Sequence, residues 1–371
     1  MKPKLLMVGR TRYSLPLSPS LARKFDALGA ELDVRVLASA AGRDGQDPRF
    51  RLARPVRPRI LDGPSFYALL PFRVARELRA FRPDAVLAQG AQETALVLLG
   101  RALARVPAKV VADIHGDPAV PARLYGSRPR KALAPLADLL ARIGLRRADG
   151  IRTISAYTSG VVREAGGEPT ATFAAFMDLE PFLATRPVPP PEHPVALFVG
   201  VLERYKAVDV LADAWRLAAP RVPQATLHLV GRGTLREVPE RLVAELPEQT
   251  RWTERLETDE VARTLDEATV LVLPSRSEGL GRVVVEAFCR GRGVVASRVG
   301  GIPDLVDDGT TGILVSPGDP QALADALVRV LSDRGLADRL GGAAREAVEP
   351  WLATPEEYAR QVLDLVDAVA R

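Results

Sequence analysis

The 371-residue chain carries 51 Lys+Arg against 46 Asp+Glu, and 47% of it is hydrophobic. That length exceeds what one core normally serves, so two domains of an ordinary soluble globular protein are expected. A single cysteine, Cys289, excludes an internal disulfide and fits a reducing cytoplasm, and no run of about 18 apolar residues exists to cross a bilayer.

The opening residues Met1–Gly9 are too short an apolar run for a signal peptide and read as a first β-strand. Strands follow at Leu5–Val8, Asp33–Leu37, Ala85–Ala88, Lys109–Ile114 and Gly150–Ile154. Between them, Ser20–Leu28, Phe66–Phe81, Glu93–Arg105, Lys131–Arg147 and Ala156–Glu164 read as helices. This βαβ order predicts a parallel sheet covered on both faces. The stretch Arg186–Pro194 is proline-rich, hence stiff and extended, and reads as an interdomain linker. The pattern then restarts, with strands at Val195–Val199, Thr226–Val230, Val270–Leu273, Val294–Ala296 and Gly312–Val315. Helices begin near Val208, Thr234, Asp259 and Gly281, and Thr354–Arg371 is an amphipathic helix with Tyr358, Val362, Leu365 and Val366 on one face.

Charge divides the chain. Residues 1–190 hold 30 Lys+Arg against 17 Asp+Glu, and residues 191–371 hold 21 against 29. A basic half suggests an anionic partner, although a solvated basic surface accounts for it equally well. Two clusters stand out. Arg73, Arg76, Arg79 and Arg82 lie near Phe72, Val74, Leu78 and Phe81, and Arg123, Arg128, Arg130 and Lys131 lie beside Leu124 and Tyr125. Such patches suit an anionic lipid surface or a lipid-linked acceptor, and a soluble acceptor fits as well. Nucleic acid fits poorly, because aromatic stacking residues make up only 5% of the chain.

The richest segment is Ser275–Glu286. A buried strand ends at Pro274, a turn holds Glu278 and Gly279, and a helix begins near Gly281 and carries Glu286. A helix N-terminus after a strand suits a phosphate or a sugar oxygen. Two carboxylates eight residues apart suit a ligand with two diol groups, such as a nucleotide sugar. A second loop, after Gly200, carries Arg204 and Lys206. Lys206 is the only lysine after Lys131, which suggests a need for a compact ammonium charge. Gly231 and Gly233 form a tight turn after a strand that lets backbone approach a base or phosphate. Of three histidines, His115 alone has a strand-end position, between Asp113 and Asp117; one histidine with two carboxylates there matches no metal spacing. The loop Gly9–Pro16 lies where a Rossmann domain binds phosphate but lacks the glycine fingerprint, which argues against a nicotinamide oxidoreductase.

Taken together these motifs resemble the family-4 retaining glycosyltransferases of the GT-B fold. The resemblance is strongest over 195–320, on Lys206 and Asp209, Gly231 and Gly233, Pro274 to Glu286, Gly300-Gly301-Ile302-Pro303, Asp308-Gly309 and Pro317-Gly318-Asp319. It is looser before that, through Gly9, His115, Ser155 and Met177–Phe182. It implies two facing Rossmann-like domains with an interdomain cleft: an acceptor domain at 1–186, a donor domain at 187–352, and a C-terminal helix at 353–371 that packs back on the first.

The resemblance also implies roles. Lys206 would hold the donor diphosphate, helped by Gly200, Arg204, Gly231 and Gly233. Glu286 would bind the ribose, and Glu278 the transferred sugar. The backbone of Gly279, Leu280, Gly281, Arg282 and Val283 would surround that sugar, and Gly9 would border the donor. His115 would touch the sugar from the opposite domain, and backbone near Trp252–Leu256 would frame the base. Neither metal nor cofactor is implied beyond the UDP- or GDP-sugar co-substrate, and anomeric configuration would be retained. A cytoplasmic location, with peripheral contact at the inner membrane face, would suit a lipid-linked or envelope-glycan acceptor. The chain departs from the family at Val201, where arginine is common, and at Ala207, where glycine is usual. Rival readings are an epimerase or phosphorylase on the same fold, and a non-catalytic nucleotide-sugar-binding protein.

Overall fold

The computed structural model describes residues 2–42, 45–58, 61–118 and 133–370. It divides into two compact units, Met1–Phe176 with Ala353–Arg371, and Met177–Leu352. The first runs through β1 (Lys4–Tyr13), α1 (Pro19–Glu31), β2 (Asp33–Ala40), β3 (Phe50–Ala53), α2 (Asp62–Phe81) and β4 (Ala85–Gln89). It continues with α3 (Ala91–Ala104), β5 (Lys109–Ile114), α4 (Ala134–Arg147), β6 (Gly150–Thr153), α5 (Ala156–Glu164) and β7 (Ala171–Thr172). The second contains α6 (Glu180–Leu183), β8 (Val195–Val199), α7 (Val208–Ala218), β9 (Thr226–Val230), α8 (Glu237–Glu245), β10 (Thr250–Thr253) and α9 (Thr258–Asp266). After these come β11 (Val270–Leu273), α10 (Arg282–Cys289), β12 (Val294–Ser297), β13 (Gly312–Val315), α11 (Pro320–Ser332) and α12 (Arg334–Glu346). The closing helix α13 (Pro355–Ala370) belongs to the first unit.

Each unit is a parallel sheet. The first has strand order β3-β2-β1-β4-β5-β6-β7 and the second β10-β9-β8-β11-β12-β13. The central strands are apolar along their length because helices cover both faces. In β1 the alternation of side chains sorts Leu5 and Met7 to one face, packed with Phe25 and Leu28 of α1 and with Tyr358, Val362 and Leu365 of α13. Leu6 and Val8 point the other way, into Phe66, Leu70, Val74 and Leu78 of α2. The periodic apolar face of α13 thus returns to the first sheet. In the second unit Phe198, Leu227 and Val272 pack with Trp215 of α7 and Leu327 of α11, all fully buried.

Three strands escape a reading based on apolar runs: β3, β7 and β10. All three are sheet edges and short, with arginine in two of them (Arg51 and Arg251). The first strand also runs further than its apolar core. The expected loop after Gly9 is strand as far as Tyr13, with a register irregularity between Val8 and Arg12. Tyr13 anchors that extension edge-on against Phe25 and Phe50, at 5.9 and 5.2 Å between ring centroids.

The division after Phe176 corrects the expected boundary at residue 186. Residues 177–186 belong with the second unit because Arg290, 1% exposed, holds them there. Its guanidinium donates to the carbonyls of Phe182 (3.2 Å), Thr185 (2.7 Å) and Arg186 (3.1 Å), and pairs with Asp266 through two nitrogens at 2.8 and 2.7 Å. The proline-rich stretch is fastened likewise: Arg334 donates to the Pro190 carbonyl at 3.1 Å. It is therefore part of the second unit, not a linker between units. Arg290→Met should cost about 3–5 kcal/mol in urea unfolding, since it strands Asp266 and three carbonyls. A loss under about 1 kcal/mol would mean that water replaces the arginine freely.

Candidate functional site

In the second sheet, β8 lies between β9 and β11, so successive connections diverge at the β8–β11 junction. Ligands of open α/β sheets bind at such a switch point, outside the carboxyl ends of the strands. Gly200, Arg204 and Lys206 follow β8, Gly231 and Gly233 follow β9, and Glu278 to Glu286 follow β11. The structure brings these second-unit residues to one end of one sheet.

Backbone contact decides the shape of this end. A Cβ on Gly231, whose φ is +150°, would lie 1.8 Å from the Gly200 carbonyl oxygen. One on Gly300, φ +55°, would lie 1.8 Å from the Glu278 carbonyl oxygen. The two glycine pairs thus close neighbouring loops onto each other. The Gly231 turn approaches the 200–202 backbone, with Leu202 N–H donating to the Arg232 carbonyl at 3.0 Å. The indole N–H of Trp252 donates to the Gly231 carbonyl at 2.9 Å and braces the turn.

Within this frame Lys206 Nζ meets Glu278 Oε1 at 2.5 Å, and the Ser275 hydroxyl donates to the same oxygen at 2.8 Å. Both charged side chains are nearly buried, 13% and 9% exposed, so each needs the other. Glu286 is also buried, on the first turns of α10, and takes a hydrogen bond from Arg282 Nε at 2.8 Å. Burial pushes the Glu286 carboxyl above its usual range, partly opposed by Arg282 and Lys206. Gly281, φ +85°, precedes α10 and offers no side-chain cap, so the first N–H groups of the helix are turned toward whatever occupies the strand ends.

Arg276 went unnoticed in the sequence. It forks onto Asp209 with nitrogen–oxygen distances of 2.9 and 2.7 Å, and also donates to the Arg204 carbonyl at 2.7 Å. It thereby ties the loop after β11 to the loop that presents Lys206. No local motif marks it, since its partner lies 67 residues away. The departure at Ala207 carries a physical cost. That residue is left-handed, φ +52°, and fully buried. The left-handed conformation costs a non-glycine residue about 1–2 kcal/mol, and burying one methyl returns about 0.8 kcal/mol. Val201 is 44% exposed, and the Arg204 side chain is exposed on the same loop.

Gly9 and His115 belong to the first unit. Gly9 lets β1 approach β4, since a Cβ there would sit 2.4 Å from Gln89 Oε1. His115 Nε2 pairs with Asp113 Oδ2 at 2.9 Å, and Asp113 Oδ1 accepts from buried Arg152 at 2.6 Å. Burial alone would raise the Asp113 carboxyl; Arg152 and His115 override it and hold it well below the carboxylate range. Arg152 also donates to the carbonyls of Phe173 and Ala174, at 3.0 and 2.8 Å. His228, inside β9, bonds Thr253, and burial lowers it to about 4, which keeps it neutral. Cys289 is buried and its thiol is pushed up to about 11, so it is a packing residue.

A cavity of about 910 Å³ opens at the carboxyl ends of β1, β4 and β5 in the first unit. Its polar lining includes Arg10, Tyr67, Glu93 and His115. Tyr67 and Glu93 escaped the sequence reading because they sit 26 residues apart on different helices. The basic patch on α2 is also changed. Val74, Leu78 and Phe81 are core, whereas Phe72 is 64% exposed and is joined on the surface by Leu69. The second basic cluster, Arg123 to Lys131, lies outside the described residues.

Two family models match the chain. Residues 193–333 match "Glycosyl transferases group 1", and residues 18–173 match "Glycosyl transferase 4-like domain". A sulfoquinovosyl transferase of Arabidopsis thaliana is 35% identical over 164 residues, 43% of this chain and 31% of that protein. A D-inositol 3-phosphate glycosyltransferase of Nocardioides is 34% identical over 194 residues, 47% of this chain and 42% of that one. The chain thus spans less than half the length of these two curated relatives. Among solved structures, sucrose-phosphate synthase from Thermosynechococcus elongatus aligns with a TM-score of 0.77 at 23% identity, over 98% of both chains. Anabaena HepE in complex with UDP-glucose aligns with a TM-score of 0.71 at 18% identity, over 97% of this chain and 99% of that one. With both sheets doubly wound and each half matched by its own glycosyltransferase domain, the chain belongs to the group 1, family-4-like glycosyltransferases of the GT-B fold.

Proposed function

We propose that the chain transfers a sugar from a UDP- or GDP-linked donor to an acceptor, with retention of anomeric configuration and without a metal. One observation carries this reading: an ammonium, two carboxylates and a helix N-terminus with no side-chain cap are gathered at the β8–β11 switch point. The UDP-glucose bound by Anabaena HepE supports a nucleotide sugar as donor.

In such a transfer the bond from C1 to the diphosphate oxygen breaks, and negative charge grows on the leaving group. Lys206 and the N-terminal end of α10 neutralise it, in a setting dry enough for the charge to count. Arg204 adds a second cation from the same loop. The acceptor hydroxyl forms the new bond to C1 on the face that the diphosphate leaves, and the departing phosphate oxygen takes its proton. Glu286 accepts from the ribose hydroxyls, and Glu278 and the N–H groups from Gly279 to Val283 hold the sugar. A donor would take over part of the Lys206–Glu278 pairing, which frees the carboxylate for sugar hydroxyls. The second reading, a non-catalytic nucleotide-sugar-binding protein, is favoured by Val201, an exposed apolar side chain where arginine is common.

A panel of UDP, GDP, ADP and TDP sugars, read by thermal shift with and without EDTA, tests the donor. A selective rise that survives EDTA is expected, and no rise with any of them would remove the transferase reading. Lys206→Ala should lower kcat/KM by more than about 2 kcal/mol, roughly 30-fold, if it neutralises the leaving group. A loss of a few tenths would assign that charge to Arg204 or the helix end.

Glu286→Gln separates binding from stability. A carboxyl raised by burial makes the wild type less stable as pH climbs through the window above the unfolded value of about 4.3. Glutamine does not ionise, so the variant should equal or exceed the wild-type melting point at pH 7, lose that advantage below about pH 4, and bind nucleotide sugar more weakly. Unchanged donor affinity would refute the ribose role.

A peripheral contact with anionic membrane is part of the proposal. It is supported by exposed Leu69 and Phe72 beside exposed Arg76 and Arg79 on α2. Among the described residues, no helix is long and apolar enough to cross a membrane. Binding to phosphatidylglycerol vesicles at low salt, released at high salt, is expected. No binding at low salt would remove the contact.

A further inference from the structure

The first-unit cavity is built from two unlike halves. At its polar end the Tyr67 hydroxyl donates to Glu93 Oε1 at 2.7 Å, beneath the N-terminus of α3. Both groups are positioned rather than loose: Phe66 packs edge-on to Tyr67 at 5.6 Å, and Arg10 lies 5.8 Å from the Tyr67 ring centroid. Glu93 is 8% exposed, and burial pushes its carboxyl above the usual range against the pull of the Tyr67 hydroxyl. A ligand hydroxyl is the natural partner of such a pair, since it can donate to a remaining lone pair of the carboxylate or of the phenol oxygen. Gln89 and Gln92 on the lining add amide donors and acceptors.

Charge argues against a phosphate here. The two basic side chains on the described lining are already matched by carboxylates, Arg10 by Asp62 at 3.2 Å and by the attraction of Glu93, and His115 by Asp113 at 2.9 Å. Glu93 and Asp117 would repel an anion. The polar end therefore fits a neutral hydroxylated head.

The other end is hydrocarbon. Leu96 of α3 and Leu136 and Leu140 of α4, with Leu133 just before it, line the same cavity. Leu133 and Leu136 line it and yet remain 59% and 54% exposed, so the apolar wall runs out of the cavity onto the surface. It continues there in Leu139 and Ile143 on α4 and in Leu99 on the neighbouring α3, all exposed. Side chains of this size left in water at one place mark a surface that meets apolar matter. A sugar or polyol alone would leave this wall unused, and a hydrocarbon alone would bring nothing that hydrogen-bonds to the Glu93–Tyr67 end.

We propose that this cavity is the acceptor site and that the acceptor is an uncharged amphiphile, with its hydroxylated head on Glu93 and Tyr67 and its hydrocarbon chain along Leu96, Leu136 and Leu140. The assignment of the ligand as acceptor rests on the transferase reading above; the class of ligand rests on the cavity alone.

The test is calorimetric titration of the full chain with n-octyl glucoside below its micelle concentration, beside glucose and n-octyl phosphate. Octyl glucoside should bind saturably, and the other two at least about tenfold more weakly. Leu136→Asp, at an exposed position that folding does not depend on, and the near-isosteric Glu93→Gln should each weaken octyl glucoside about tenfold or more. Leu99→Asp, exposed but outside the cavity, should leave it within about twofold. Equal binding of glucose would overturn the role of the tail, and equal binding of octyl phosphate would overturn the neutral head. Absence of saturable binding, an unaffected Leu136→Asp, or an equal loss in Leu99→Asp would overturn the site. UDP- and GDP-sugar binding measured on Leu136→Asp keeps the two readings apart. Retained nucleotide binding without octyl glucoside binding defeats this inference, whereas octyl glucoside binding in a wild type that takes no nucleotide sugar defeats the transferase reading.

Discussion

The second-unit site depends on a contact between backbones that side chains would forbid. The carbonyl of Gly200 occupies the space of a Gly231 Cβ, and the carbonyl of Glu278 occupies that of a Gly300 Cβ. Because the loops after β8, β9, β11 and β12 are pressed together in this way, the 278 turn has no freedom to drift from the end of β11. Lys206 and Glu278 are then close enough to pair although 72 residues separate them. A side chain at Gly231 or Gly300 would force these loops apart. A site built this way costs little reorganisation when charge develops in it, which is the property that electrostatic stabilisation of a leaving group requires.

Charge pairing then tightens what the backbone brings together. Arg276 holds Asp209 with two hydrogen bonds and the Arg204 carbonyl with a third, so the loop that carries Lys206 is fixed at both ends. Ala207 sits inside this clamp in a left-handed conformation, paying for it with local strain while its methyl fills the core. The same logic appears at Arg290, where one buried guanidinium gathers three carbonyls and a carboxylate and decides which unit owns residues 177–186. In both cases the arginine makes irregular backbone behave like part of the fold.

The sequence carried the central architecture because parallel strands covered on both faces are legible as apolar runs. Leu5–Val8, Lys109–Ile114 and Val270–Leu273 needed no further information. The edge strands β3, β7 and β10 were illegible for the same reason: an edge is short, and half its pattern faces water or carries arginine. In the site, residues sharing a short motif, such as Glu278, Gly281 and Glu286, were legible from spacing. Residues that act through distant partners were not. Arg276 finds Asp209, Arg152 finds Asp113 and Tyr67 finds Glu93 only after the sheets are assembled. The linker reading of Arg186–Pro194 failed because proline content reports stiffness, whereas ownership by a unit depends on what the carbonyls bond.

The two units place differently built surfaces at the carboxyl ends of equivalent sheets. In the second, the working surface is largely backbone and paired charge, so its glycines and its few carboxylates can be read from a motif. In the first, the cavity at the same end of an equivalent sheet is lined by side chains from three helices and three strand ends. Nothing in the backbone constrains those side chains to particular types. A cavity of this kind can change its ligand by exchanging a leucine or a glutamine without disturbing the sheet beneath it. The Glu93–Tyr67 pair is the exception, because losing either member removes the 2.7 Å hydrogen bond that positions the other. It is therefore the part of the first-unit cavity on which the proposed head-group recognition most depends, while the leucines around it bear on the proposed hydrocarbon chain.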